Sequence, residues 1–349
     1  MRLKDVARTA GVSTATVSHV INNTKYVSEA TREKVVRAIK ECNYYANAHA
    51  RSLASGRSNI IGLLVSDISN PFFPELVKSI EDAAFESGYN IILVNTNYDA
   101  DRAADYVRRL IELKVAGVAL MTTEFDFQLI DELAARKVPV VLHNVGTTGV
   151  HMNDVLVDYA SGIDEAVSHL VELGHKRIVH IAGPARFRSA IIRREAFVES
   201  FHRYLPGLPE PAIFEGDFKF AGGKQAAERI LESQTMPTAV VVANDLMALG
   251  AMQEFREAGL EIPRDLSIIG FDDITFAALS EPPLTTVCSP RAEIGRKAIE
   301  ALMATIKGSV ASGEVVRVQT FLIKRRTTAV PTNSTKTEGT RRRTKGTGQ

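Results

Sequence analysis

The pattern of apolar residues predicts a small all-α head followed by an α/β core of two doubly wound, parallel-sheet lobes. Three observations carry that prediction. Short helical repeats fill the first 45 residues; strand-length apolar runs alternate with helix-length segments from residue 60 onward; and about 270 residues of this alternation exceed what one doubly wound sheet uses.

In the head, Val6, Ala7 and Ala10 fall at helical spacing within residues 3–10, and Gly11 supplies the left-handed backbone that a tight corner needs. Ser13 is placed to cap a second helix over 14–22, with Val17, Val20 and Ile21 inward. Its other face then carries Thr14, Ala15, Ser18 and His19. Ser28 is expected to cap a third helix whose Val35, Val36 and Ile39 close the small core. Residues 46–55 place Ala46, Ala48, Ala50 and Ala54 around Leu53, a helix-capable stretch too short to be stable alone in water.

The runs 60–65, 91–94, 117–121, 139–142, 155–157, 177–181, 239–242 and 266–269 are unbroken by charge except at their rims, as strands covered on both faces must be. Two such lobes leave a natural ligand cleft between them. Residues 331–349 are rich in Thr, Gly, Lys and Arg with no apolar face, and read as a disordered basic tail.

Charge is distributed unevenly along the 349 residues. Residues 1–57 carry ten Lys/Arg against four acids, a net of +6, and the tail adds +4; an overall +1 leaves −9 on the body. A basic head on an acidic body is expected where only the head approaches phosphates. The N-terminus lacks the apolar stretch of an export signal and no run is long enough to span a bilayer, so a cytoplasmic protein with no membrane partner is expected. Cys42 and Cys288 are far apart and not spaced as metal ligands, so neither a disulfide framework nor a metal or other cofactor is indicated. G-x-G-x-x-G, P-loop, G-x-S-x-G and H-E-x-x-H patterns are missing, and His169, His175 and His202 read as surface or helix-end residues, which argues against an enzyme. A transport-type solute-binding protein would share the body but would need an export signal and no basic head.

The segment 4–22, KDVARTAGVSTATVSHVIN, strongly resembles the helix-turn-helix of the lactose-repressor/purine-repressor (LacI/GalR) family. Further parts fit the same family: Ala50-Arg51-Ser52-Leu53-Ala54, Asn70-Pro71-Phe72-Phe73, Ala243-Asn244-Asp245, Gly270-Phe271-Asp272-Asp273 and Pro283-Leu284-Thr285-Thr286. The resemblance implies a periplasmic-binding-protein-like (type I) core in which 59–158 with 288–316 and 159–287 with 317–330 form the lobes. It also implies a head at 1–45, a hinge at 46–58, operator DNA and a small effector as partners, and a homodimer, with a tetramer left open. The expected DNA contacts are Thr14 and Ala15 at base edges, His19 at a purine, Thr16 and Ser18 at phosphates, Lys25 in the groove or on a phosphate, Leu53 as a minor-groove wedge, and Asn47, His49 and Arg51 around it. For the effector, Arg193, Asn244 and Asp272 match positions that hold polar ligand groups. Phe72 and Phe73 offer faces for stacking, and Ser66, Asp67, His143, Ser189 and Phe218 complete the candidates. The carboxylate, amide and guanidinium of Asp272, Asn244 and Arg193 together suit the vicinal hydroxyls of a monosaccharide or sugar derivative, and Phe187, where a purine-binding member carries Arg, and Asn144, where it carries a pocket Trp, point away from a purine.

Overall fold

The computed structural model describes residues 2–22, 25–44, 58–122, 125, 127–309 and 312–332. The expected hinge, apart from Ser58, and the tail from 333 onward lie outside the described residues. The chain divides into a head unit and a body unit.

The head is three helices, α1 (Leu3–Ala10), α2 (Thr14–Asn22) and α3 (Glu29–Glu41). Gly11 closes α1 at φ 65°, in the left-handed region expected of it. Ser13 Oγ accepts the Thr16 amide at 3.0 Å, which is the N-cap bond the sequence predicts. Ser28 differs, because its hydroxyl pairs with Thr31 Oγ1 at 2.9 Å while its carbonyl takes the Thr31 and Arg32 amides. The core is Val6, Ala7, Val17, Val20, Val35, Ala38 and Cys42. Val36 is exposed instead of buried, because the inward stripe of α3 runs Val35, Ala38, Cys42 and Val36 is turned a full residue step away from it.

The body contains two six-stranded sheets. The first has the order β11-β5-β4-β3-β1-β2, from β1 (Ile60–Val65), β2 (Asn90–Asn95), β3 (Gly117–Met121), β4 (Val140–His143), β5 (Met152–Asp158) and β11 (Val315–Gln319). The second has the order β12-β10-β9-β8-β6-β7, from β6 (Ile178–Ala182), β7 (Ile213–Glu215), β8 (Ala239–Val242), β9 (Ser267–Asp272), β10 (Thr285–Cys288) and β12 (Phe321–Ile323). The pairings β1–β3, β3–β4, β4–β5, β5–β11, β6–β7, β6–β8, β8–β9 and β9–β10 are parallel, whereas the short edge strand β12 runs against β10. The helices α4 (Phe72–Glu86), α5 (Ala100–Glu112), α6 (Phe127–Ala135), α7 (Tyr159–Glu172), α8 (Arg188–Tyr204), α9 (Phe220–Leu231), α10 (Asp245–Glu257) and α11 (Thr275–Leu279) complete the crossovers, with α12 (Arg291–Ile306) returning to the first sheet. Among the described residues no helix is long and apolar enough to cross a membrane.

The chain passes between sheets three times: after β5, after β10 and after β11. Because β11 keeps register with β5 through Gln319, the last passage falls a few residues beyond the 316/317 division drawn from sequence. The passages are packed together. Thr320 Oγ1 accepts the Gly162 amide at 3.0 Å and donates to the Asp158 carbonyl. A Cβ at Gly162 meets both Thr320 and Val287, and Val287 is fully buried. Beyond the last passage, His169 and His175 are not idle surface groups. They bond Thr328 Oγ1 at 3.0 Å and the Ala329 carbonyl at 2.9 Å, and so hold the C-terminal segment against the second lobe.

Gly162→Ala should lower the unfolding free energy by about 1–3 kcal/mol, the usual cost of an added methyl in a packed site. Urea denaturation followed by circular dichroism measures this, and an unchanged midpoint contradicts the tight packing of the three passages.

Candidate functional site

In an open parallel sheet, a crevice opens at the carboxyl ends of the strands where the strand order reverses. The first sheet reverses between β1 and β3, and the second between β6 and β8. The residues that end or follow these strands and their neighbours meet in one small cavity of about 60 Å³. Ser66 follows β1, Met121 ends β3 and Thr122 follows it, His143 ends β4, Asn244 follows β8 and Asp272 ends β9. Asn70, Phe72, Phe73, Tyr98, Tyr159, Ser189, Arg193 and Phe218 complete the wall.

Arg193 is the centre of this wall. It is 6% exposed, donates from Nη1 to the Ala243 carbonyl at 2.7 Å, and pairs from Nη2 with Asp272 Oδ1 at 3.4 Å. Its guanidinium carbon sits 4.4 Å from the Tyr159 ring centroid and 4.2 Å from that of Phe271, so aromatic faces replace part of the lost hydration. Asp272 is less well compensated. Burial pushes its carboxyl up to about 6, even though Arg193 and Arg291 pull the other way. Its backbone is at φ 109°, a conformation rarely adopted by a residue with a side chain, and Asp273 follows at φ 56°. Next to it, burial pushes the Asp245 carboxyl well above the usual range, while Thr286 Oγ1 and the Ile274 amide donate to it.

His143 also lines the cavity, with Nε2 3.3 Å from the Tyr159 hydroxyl. Burial, together with the charge of Arg193, lowers its pKa to about 4, so the ring is neutral at physiological pH. Its Nδ1 and the Nε of Arg193 are buried with no hydrogen-bond partner among the described residues. Three near-parallel rings flank the cavity: Tyr98 on Phe187 at 4.8 Å, and Phe187 on Phe218 at 6.2 Å.

Of the effector residues expected from sequence, Ser66, Phe72, Phe73, His143, Ser189, Arg193, Phe218, Asn244 and Asp272 border this one cavity. Asp67 does not; its Oδ1 accepts the Ser69 amide at 2.9 Å and the Ser69 hydroxyl at 2.7 Å, closing the turn that leads to α4. Asn244 borders the cavity, but Oδ1 accepts the Met247 amide at 2.9 Å and Nδ2 donates to the Phe218 carbonyl at 3.0 Å. It caps α10 and fixes the Phe218 loop, which leaves one N–H for anything else.

In the head unit, Thr14 and Ala15 are exposed at the start of α2, and Thr16, Ser18 and His19 are half-buried. Thr16 Oγ1 is bonded to the Ser13 hydroxyl at 2.9 Å, which ties it to the cap. Lys25 is exposed, as is its neighbour Tyr26 at 95%. Asn47, His49, Arg51 and Leu53 lie outside the described residues.

Residues 2–47 match the lacI family of bacterial regulatory proteins, and residues 167–328 match a periplasmic binding protein-like domain. The chain is 36% identical over 313 residues to the HTH-type transcriptional repressor PurR of Aliivibrio salmonicida, covering 87% of this chain and 92% of that protein. It is 38% identical over 325 residues to the ribose operon repressor of Escherichia coli, covering 93% and 98%. The crystal structure of the lac repressor dimer bound to operator and the anti-inducer ONPF superimposes with a TM-score of 0.85 at 31% identity, covering 94% of this chain and 99% of that one. The chain belongs to the LacI family of bacterial regulatory proteins.

Within this LacI-family body, sequence reasoning missed Asn70, Tyr98, Met121, Thr122 and Tyr159. Thr122 was within reach, since it follows β3 as Ser66 follows β1, and their hydroxyls bond at 2.8 Å. Tyr159 opens α7 immediately after a passage between lobes and carries no local signal. In the LacI-family head, the missed candidate is Tyr26, an aromatic with nothing apolar to cover it among the described residues.

Because Asp272 titrates higher in the folded chain than in the unfolded one, charging it lowers stability as pH rises from about 4 to about 6. Asp272→Asn does not charge, so it should gain stability relative to the parent chain between about pH 4 and about pH 7. Urea unfolding of both proteins at the two pH values measures this, and a difference independent of pH refutes it.

Proposed function

We propose that the chain is a transcriptional repressor that binds a near-palindromic operator as a homodimer and is controlled by a neutral monosaccharide or small sugar derivative in the cavity between its lobes. The observation that carries the effector half is the buried Arg193–Asp272 pair. It is a long, incompletely compensated ion pair lining a small cavity, with a further buried, unpartnered nitrogen on Arg193 and another on His143. Vicinal hydroxyls satisfy such groups by donating to the carboxylate and accepting from the guanidinium, while Phe72, Phe73 and Phe218 offer faces to C–H surfaces. A cavity of this size favours a single sugar ring over a disaccharide. With the guanidinium already paired and His143 neutral, it also disfavours a phosphate group.

The operator half rests on the three-helix head. Thr14 and Ala15 would reach base edges at the exposed start of α2, Ser18 and His19 would follow one turn later, and Lys25 would meet phosphate or groove. Thr16 serves better as a second member of the cap than as a phosphate ligand. Leu53, flanked by Asn47, His49 and Arg51, would wedge a central base step from the minor groove. Binding would place the protein with the DNA in the cytoplasm.

Dimerisation is supported by an apolar outer face on the second lobe. Phe276 and Leu279 are 53% and 72% exposed, and they border a groove of about 470 Å³ with Phe220, Leu246, Leu249 and Met252. We read the chain as a binding protein and not an enzyme, because the cavity's titratable groups are neutral or engaged: His143 with Tyr159, Asp272 with Arg193.

Two outcomes follow. Against a panel of pentoses, hexoses, nucleosides and their phosphates, a neutral sugar should raise the melting temperature of the parent chain. Asp272→Ala should lose that response while keeping operator affinity, and Leu53→Ala should do the opposite; stabilisation by nucleosides or phosphates alone would overturn the effector reading. Leu279→Asp should shift the chain toward monomer in sedimentation equilibrium and weaken operator binding at least about tenfold through loss of the second half-site. A variant that stays dimeric would remove this face from consideration.

A further inference from the structure

The segment Asp272–Thr275 links the cavity to the outer face of the second lobe, and two side chains of the first lobe grip it. Glu75 sits in the first turn of α4, just after Phe72 and Phe73. Arg291 opens α12, which belongs to the first lobe: Ser79 Oγ donates to the Ala292 carbonyl at 3.1 Å, and Asn153 Nδ2 donates to Thr305 Oγ1 at 2.8 Å. Glu75 Oε2 and Arg291 Nε pair at 2.9 Å with side chains 33% and 14% exposed.

The rest of each group reaches across to the second lobe. Arg291 donates to the carbonyls of Asp272 and, at 2.6 Å, Asp273. Glu75 Oε1 accepts the Thr275 amide at 3.2 Å and the Thr275 hydroxyl at 2.9 Å. The pair thus presents its positive end to backbone carbonyls and its negative end to a backbone amide and a hydroxyl, in the order in which the segment offers them. That segment contains the carboxylate of the cavity and two consecutive residues at positive φ, and it is followed directly by Phe276, which is 53% exposed. Such backbone is retained only where its surroundings hold it.

We infer that Glu75 and Arg291 act together as a polar clip that holds the two lobes in their closed arrangement and positions Asp272 against the cavity. The clip belongs to the regulation of the effector site described above, but its existence is tested without ligand or DNA. Charge-assisted hydrogen bonds of this kind are individually strong enough for the loss of one partner to change a closed-to-open ratio about tenfold. Because each end is matched to backbone polarity, a reversed pair does not substitute for the original.

The experiment measures the distance between spin labels at Glu112→Cys on α5 and Glu228→Cys on α9, both exposed positions outside the clip and the cavity, in full-length chain diluted with unlabelled protein. The native thiols Cys42 and Cys288 are buried. The parent chain should give one short distance. Glu75→Gln and Arg291→Gln, each checked for folding by circular dichroism, should shift most of the population to longer distances, and the double swap Glu75→Arg/Arg291→Glu should stay long. Lys78→Gln, which breaks only the exposed pair with Asp82 on the same helix, should match the parent. A parent chain that is already long, unchanged distances in both single variants, or recovery in the swap overturns the clip. Operator binding by the parent chain, measured separately, reports on the proposed function alone.

Discussion

The body is organised around the burial of one guanidinium. Arg193 on α8 is enclosed by the Ala243 carbonyl after β8, the Asp272 carboxylate at the end of β9, the Phe271 ring, and the Tyr159 ring where the chain has just crossed from the other lobe. Removing such a charge from water is costly unless its contacts are in place, so the guanidinium ties these elements to one arrangement around it. The convergence is incomplete on the carboxylate side, and the raised pKa of Asp272 is its signature. What would be a defect in an ordinary core here lines a cavity, where the carboxylate still has room for a hydrogen-bond donor.

Which parts of this were legible in the residues depends on whether a property is local. Gly11 and Ser13 announce the turn and cap of the head within a few positions, and both are found as expected. The alternation of strands and helices was equally plain, because buried parallel strands admit no charge. Val36 escaped because a single apolar residue one step off a helical stripe cannot be placed by composition. Asp67 escaped because a carboxylate after a strand serves a turn as readily as a ligand, and only geometry distinguishes the two. Asn244 does both, since the cap it provides also holds the loop that carries Phe218.

Nonlocal features had no sequence signature. Tyr159 meets His143 only because β5 ends where α7 begins on the far side of a passage, and Glu75 meets Thr275 across 200 residues. Relatives at 36–38% identity establish the family, yet the chemistry of this cavity has to be read from its own side chains. Phe187 illustrates the point: it carries no polar group toward a ligand, and it is packed between Tyr98 and Phe218 as the middle of three rings.

The three passages between lobes have a mechanical consequence. Thr320 bonds the third to the first, Val287 of the second packs against the same point, and no space is left for a methyl at Gly162, so they behave as a laminated strap and not as three independent threads. A laminated strap bends readily about the axis across its width and resists sliding or twisting. Sliding one passage past another breaks the Thr320 bonds and disturbs the close packing at Gly162, so a shear of one lobe against the other costs more than a bend of all three passages together.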